Sequence, residues 1–200
     1  MSRQINCPHT HEMRVANLRS ININGISART LVKMLADFIR RHILPFYLYK
    51  KWPARTLQIN GYITYLNIGT AMRGTALLAR SGSHLTNIDT KPSWRSIAAE
   101  FSGIPLSNVY APSGIARRTE IEQFYNSELP ELFYPASLPI MIGGDFNGTL
   151  HPSDTTDPFS TSRALSEIVR GFTLMDTWNH CLSPLPHWAT RIDRFYMPQN

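Results

Sequence analysis

Carboxylates are scarce in this chain and unevenly placed. There are 14 Asp and Glu against 20 Lys and Arg, and none lies between Asp37 and Asp89. That interval carries Arg40, Arg41, Lys50, Lys51, Arg55, Arg73 and Arg80 instead. Such a stretch offers none of the hard oxygen donors that Mg²⁺ takes from side-chain carboxylates. Cysteine is scarce too. Cys7 and Cys181 sit near opposite ends, which excludes a disulfide framework and predicts free thiols in a reducing compartment. No apolar run approaches the length of a bilayer span. The N-terminal stretch MSRQINCPHTHEMRV lacks the apolar segment of a secretory signal. An intracellular protein, nuclear or cytoplasmic and off the membrane, is therefore expected. CPHTH brings Cys7, His9 and His11 together, but the spacing fits no usual zinc site, and residues 1–13 read as a tail. Repeats and low-complexity segments are absent as well.

The 200 residues are 42% hydrophobic, enough for one sizeable core and one domain, expected over residues 14–200. The net charge is +6 and the pI about 9.6. Sixteen of the 20 basic residues are Arg. Arg presents a planar fork of donors suited to phosphate, so a polyanionic partner is one explanation. An arginine-leaning genome is the other, and composition does not choose between them.

Strand-like and helix-like segments alternate. Residues 14–24 are β-like and end at Gly25. Residues 28–42 are amphipathic, with Leu31, Met34, Leu35, Phe38 and Ile39 on one helical face. GYITYLNI (61–68), GTALLAR (74–80), RSIAAEFSG (95–103) and LSNVYAP (106–112) read as strands. RRTEIEQFYNSELPELF (117–133) predicts a helix with Ile121, Phe124, Leu129 and Leu132 inward, kinked or ended by Pro130. SLPIMIGGDFN is the next strand. TSRALSEIVRGF (161–172) is a short helix capped by Thr161 or Ser162, and RIDRFYM (191–197) a last strand. No period holds over ILPFYLYKKWPARTLQ (43–58).

LPIMIGGDFNGTLHPSD (138–154) is the most informative stretch. An apolar strand ends in two glycines and then presents Asp145 and Asn147 on either side of Phe146. Alternation points Asp145 and Asn147 one way and Phe146 the other, into a core. Gly143 and Gly144 let another group approach the backbone. The pattern fits a carboxylate and a carboxamide displayed together at a strand end. It equally fits an Asx turn after a strand.

NING (22–25), NVYAP (108–112), GGDFN (143–147) and RID (191–193) occur in that order. Together they resemble the endonuclease/exonuclease/phosphatase superfamily, with the nearest wording in the apurinic-type endonuclease domain of LINE-like, non-LTR retrotransposons. The likeness runs from about residue 14 to 197. It implies an α/β fold: a four-layer sandwich of two mixed sheets flanked by helices, here incomplete at the C-terminus. It also implies phosphodiester hydrolysis on DNA with Mg²⁺ or Mn²⁺, by a monomeric domain fused to a downstream reverse transcriptase in an intact element. Asp145 would act as base for the attacking water. Asn147 would donate to the phosphate and hold Asp145. Tyr110 would place its phenol on a non-bridging oxygen, and Asn22 would orient a metal ligand or its water. Asp193 would orient a catalytic histidine. Arg73, Asn147 and Tyr110 would hold DNA phosphate. Each residue also has a plainer reading: Tyr110 as a core aromatic, Asn22 as a turn former, Asp193 as a partner of Arg191 or Arg194.

The departures from the pattern bear on activity. The family's metal-binding Glu follows the second strand, inside the interval that has no carboxylate. The family's closing Ser-Asp-His is also missing, since only RFYMPQN follows Asp193. The sequence therefore predicts a degenerate DNA-nicking domain with impaired activity. The alternatives are a non-catalytic basic domain that binds nucleic acid through phosphates, and a relic of a mobile element. A phosphatase of the same superfamily is less favoured.

Overall fold

A computed structural model describes residues 18–22, 46–50, 58–69, 74–114, 117–133, 140–150, 161–177 and 193–198. The expected helix at 28–42, the CPHTH segment, both cysteines and Arg73 lie outside the described residues. Side chains within β1, within β2 and at Asp193 are likewise outside the description.

Among the described residues, ten strands form two mixed sheets. The first contains β1 (Leu18–Asn22), β2 (Phe46–Lys50), β3 (Tyr62–Ile68) and β4 (Gly74–Arg80), in the order β1-β2-β4-β3. Within it β1 and β2 are parallel, and the other pairs are antiparallel. The second sheet contains β5 (Leu85–Thr90), β6 (Ser96–Phe101), β7 (Ile104–Tyr110), β8 (Met141–Asp145), β9 (Leu174–Asp176) and β10 (Asp193–Pro198). Its order is β5-β6-β7-β8-β10-β9, with β7 and β8 parallel. β2 lies inside the stretch where no sequence period holds. FYLYK runs four aromatic or aliphatic residues together before Lys50, so it carries no apolar–polar alternation to read. β5 is a polar edge strand, exposed after Leu85, and β9 spans three residues. Neither carries a hydrophobic pattern to read.

One core joins the two sheets: Leu77 and Ala79 of β4 meet Leu85, Ile97, Ala99, Leu106 and Phe195 of the second sheet. The other core lies on the helix side of the second sheet. Val109, Ile142, Phe146 and Tyr196 pack there with Phe124, Tyr125, Leu129, Leu165 and Ile168. Successive residues of β7 and β8 serve different cores because side chains alternate across a strand.

The helix from Arg118 runs through a widened turn to Pro130 and ends at Glu131, one residue beyond it, in keeping with the expected kink or stop there. α1 (Arg118–Gln123) leads into a π-helical turn (Phe124–Glu128) and then α2 (Leu129–Glu131). A proline ring clashes with the carbonyl four residues earlier in an α-helix. The wider turn just before Pro130 avoids that clash, and the Leu129 N–H reaches back five residues to the Phe124 carbonyl. The widened turn also buries two successive residues, Phe124 and Tyr125. Of the expected inward residues, Phe124 and Leu129 are buried, while Ile121 and Leu132 are partly buried against the same core. α3 (Arg163–Gly171) is capped by Ser162, whose hydroxyl accepts the Leu165 N–H at 3.2 Å.

Gly144 has φ +146°, and a Cβ there would overlap the Val109 carbonyl oxygen and lie 2.8 Å from its nitrogen. Gly144→Ala is expected to cost about 1–3 kcal/mol from backbone strain alone, and more from the overlap. A urea unfolding midpoint close to that of the parent protein would contradict this. Lys91 bridges Asp89 at 3.2 Å and Glu131 at 3.4 Å. Partial burial lowers its pKa, but hydrogen bonding and attraction from Asp89 and Glu131 outweigh that and hold it above 10.5. The bridge's contribution is thus present below about pH 10.4, the free-lysine value, and fades as pH rises through the higher folded value. The stability gap between the parent and Lys91→Met should close over that alkaline window, which melts at stepped pH will report.

Candidate functional site

β7 and β8 end side by side. In their parallel ladder Asn108 partners Gly143, Val109 partners Gly144 and Tyr110 partners Asp145. β10 runs antiparallel on the other edge of β8 and sets Asp193 opposite Asp145. Tyr110, Asp145 and Asp193 therefore form one row across three adjacent strands. Gly144 makes this possible, because only a residue without Cβ lets β8 come so close to β7.

The chain turns immediately after Asp145. The Asn147 N–H donates to Asp145 Oδ1 at 3.0 Å, which is an Asx turn. Asn147 has φ 43°, a left-handed conformation that Asn tolerates better than most residues. Strand alternation consequently stops at Asp145, and it is the turn that brings Asn147 back beside it. Asn147 Nδ2 donates to the Ala111 carbonyl at 2.7 Å, and the Ala111 N–H donates to the Asp145 carbonyl at 2.8 Å. The two readings of GGDFN, turn and display, are one geometry. Phe146 is buried as expected and meets Tyr196 edge-to-face at 4.9 Å. The Tyr125 phenol, from the π-helical turn, donates to the Phe146 carbonyl and supports the turn from behind.

The first sheet contributes a facing row. Asn22 pairs with Lys50, Lys50 with Thr75, and Thr75 with Asn67. Cross-sheet hydrogen bonds set both rows at the same end of the sandwich. Asn67 Nδ2 donates to the Ser96 carbonyl at 2.7 Å and to the Lys91 carbonyl at 2.9 Å. Asn108 Nδ2 donates to the Ala76 carbonyl at 3.1 Å. The strand ends bearing Asn22, Tyr110, Asp145 and Asp193 are thus brought to one end.

Asp145 is 3% exposed and Tyr110 5%, while Asn147 is half-buried. A carboxylate so withdrawn from water needs hydrogen bonds to remain charged, and the Asn147 amide supplies one. A divalent cation needs several oxygen ligands. Among the described residues no three His, Cys, Asp or Glu side chains converge. The row facing Asp145 reads Asn22, Lys50, Thr75, Asn67, with no carboxylate. Lys50 is the last residue of β2, and the chain has no carboxylate between Asp37 and Asp89 that could follow this strand. These residues do not fit Mg²⁺ or Mn²⁺.

The sequence reading placed Arg95 only at the start of a strand and gave Glu120 no role. Arg95 is 4% exposed, pairs with Glu120 of α1, and donates from Nη1 to the Tyr110 carbonyl at 3.3 Å. A sequence signal was available: Trp94-Arg95 precedes an apolar strand, where a charged residue is out of place unless it is paired.

No protein-family model matches the chain, and no curated protein matches it in sequence. Solved structures do match its fold. An AP endonuclease from Archaeoglobus fulgidus superposes with a TM-score of 0.71 at 14% identity, covering 90% of this chain and 85% of that one. A 3′-5′ exonuclease, NExo, from Neisseria meningitidis gives 0.74 at 18% identity, with 90% and 86% covered. A structure of the 3′ phosphatase NExo from Neisseria bound to product DNA hairpin gives 0.72 at 17% identity, with 90% and 86% covered. The two mixed sheets, their helices and these superpositions give one conclusion: the chain shares the fold of these solved structures.

Proposed function

We propose that this chain is a DNA-nicking endonuclease domain of the LINE-like retrotransposon type that retains its phosphate-contacting residues and has lost the metal-binding half of its site. The observation that carries this reading is the contrast between the two rows. One holds Tyr110, Asp145 and Asp193, with Asn147 pinned beside them; the other has Lys50 and no carboxylate.

The retained half suits a phosphodiester. Asn147 uses its carboxamide on Ala111, but an amide nitrogen carries two hydrogens, so one remains to donate to a phosphate oxygen. The Tyr110 phenol would donate to a second oxygen, and Asp145 would take the proton of an incoming water. In this reading Asp193 keeps only an orienting role, Asn22 has no metal ligand to orient, and Arg73 adds an external phosphate contact. The missing part is the charge that offsets the phosphoryl group as it reacts. A bound cation supplies both that charge and a template, and deleting a single transition-state hydrogen bond already costs about 10²–10³-fold. DNA binding without turnover is the consequence.

Purified protein should give no detectable nicking of supercoiled plasmid in Mg²⁺ or Mn²⁺, beside an Asp145→Ala control that identifies contaminating nuclease. Metal-dependent nicking that disappears in the control would refute the impaired-site reading. Binding to a labelled duplex, followed by anisotropy, should be weak and insensitive to sequence. It should also fall steeply with salt, because phosphate contacts release counterions. Binding that ignores salt would remove DNA as the partner. Lys50→Glu should introduce Mg²⁺ binding measurable by calorimetry, and no gain in affinity would mean that the facing row is not the metal side of the site.

A further inference from the structure

We infer that Arg95 is the positioning residue of the site: it clamps the Tyr110–Ala111 peptide, is itself anchored by Glu120, and is not a phosphate ligand. The inference rests on the proposed function only for what Tyr110 and Asp145 do; the clamp stands on geometry.

Arg95 holds the end of β7 from two directions. Its carbonyl accepts the Tyr110 N–H at 2.7 Å, and its Nη1 donates to the Tyr110 carbonyl at 3.3 Å. The second contact matters more. The Tyr110 carbonyl and the Ala111 N–H belong to one planar peptide unit. Arg95 grips the carbonyl end, and the amide end donates to the Asp145 carbonyl. The plane cannot rotate at one end without moving the other. The Ala111 carbonyl in turn accepts Asn147 Nδ2. A single guanidinium thereby sets the relation of Tyr110 to the Asp145–Asn147 turn.

Arg95 is 4% exposed, so little of its donor fork is within reach of DNA. Nη2 is paired with Glu120, the Trp94 ring lies 4.5 Å from Cζ, and the Tyr110 ring lies 5.8 Å away. Trp94 itself is packed against Gly69, where a Cβ would overlap the indole. Beneath, Glu128 accepts the Ser93 and Ser96 hydroxyls, each at 2.7 Å, and the Arg95 N–H donates to Ser93 Oγ at 3.2 Å. The adjoining cleft, about 400 Å³, is lined by Lys91 and Arg95 against Glu120, Glu128 and Glu131. Its carboxylates outnumber its cations, so it does not draw in a polyanion.

The test uses Glu120→Gln, Arg95→Lys and Arg95→Gln in the full chain. Glu120 is 44% exposed and Gln keeps an oxygen that can accept from Nη2, so Glu120→Gln is the mildest of the three. Amide hydrogen exchange at Ala111 should speed up about tenfold or more in all three, the scale of losing one charge-assisted hydrogen bond. Arg95→Lys should fail to rescue, because an ammonium cannot replace a planar fork that serves two acceptors. The ¹⁹F resonance of 3-fluorotyrosine at position 110 should move, while that of a control probe at Tyr196 stays. Duplex binding measured by anisotropy should keep its salt slope. Unchanged Ala111 exchange in Glu120→Gln and Arg95→Lys overturns the clamp. So do equal shifts at Tyr110 and Tyr196, which make Arg95 a general prop. A salt slope reduced by about one makes it a phosphate contact instead. If the duplex does not bind at all, the functional reading fails, and the exchange data still decide the clamp.

Discussion

The approach of β8 to β7 at Gly144 governs the position of every group with chemical potential in this molecule. Backbones at ordinary strand spacing leave room for Cβ, but here Val109 occupies that room. The parallel ladder therefore runs to its last pair, Tyr110 with Asp145, and the strands end level. Once they end level, the Ala111 N–H can reach the Asp145 carbonyl and Asn147 can reach Ala111. A side chain at 144 would push the strands apart, and each of these hydrogen bonds would lengthen together.

Asp145 is held nearly out of water and accepts the Asn147 N–H at 3.0 Å. In the facing sheet, the register sets Lys50 in one row with Asn22 and Thr75. Arg95, another buried charge, is paired with Glu120 and donates to the Tyr110 carbonyl. A buried charge stripped of its partner is costly, and its stabilisation when paired is modest. Its use here is orientation: a planar cation with fixed donors holds a peptide plane at a strand end that has no further strand pairing.

How much could be read beforehand depended on the range of the interaction. GTALLAR is a strand with the boundaries its pattern suggested, and Ser162 caps α3 as one of two candidates. β2 was not legible, because FYLYK carries no apolar–polar alternation. β5 and β9 were not legible either, being polar or very short. Pro130 read as a kink or stop, and the helix ends one residue beyond it, but the π-helical turn before it has no compositional mark.

The sequence by itself determined the local geometry: a glycine where φ is forbidden to other residues, an Asx turn at Asp145–Asn147, and a phenylalanine turned into the core between them. These depend on atoms a few bonds apart, so neighbouring letters contain them. Tertiary structure alone decided which strand ends share an edge of the sandwich, and so set Lys50 in the row with Asn22 and Tyr110 abreast of Asp145. It also decided that Arg95 would meet Tyr110 and Glu120, 15 and 25 residues away. Those contacts arise because burying two sheets and their helices leaves a charged side chain in the interior few partners, and the fold, not the adjacent sequence, supplies them.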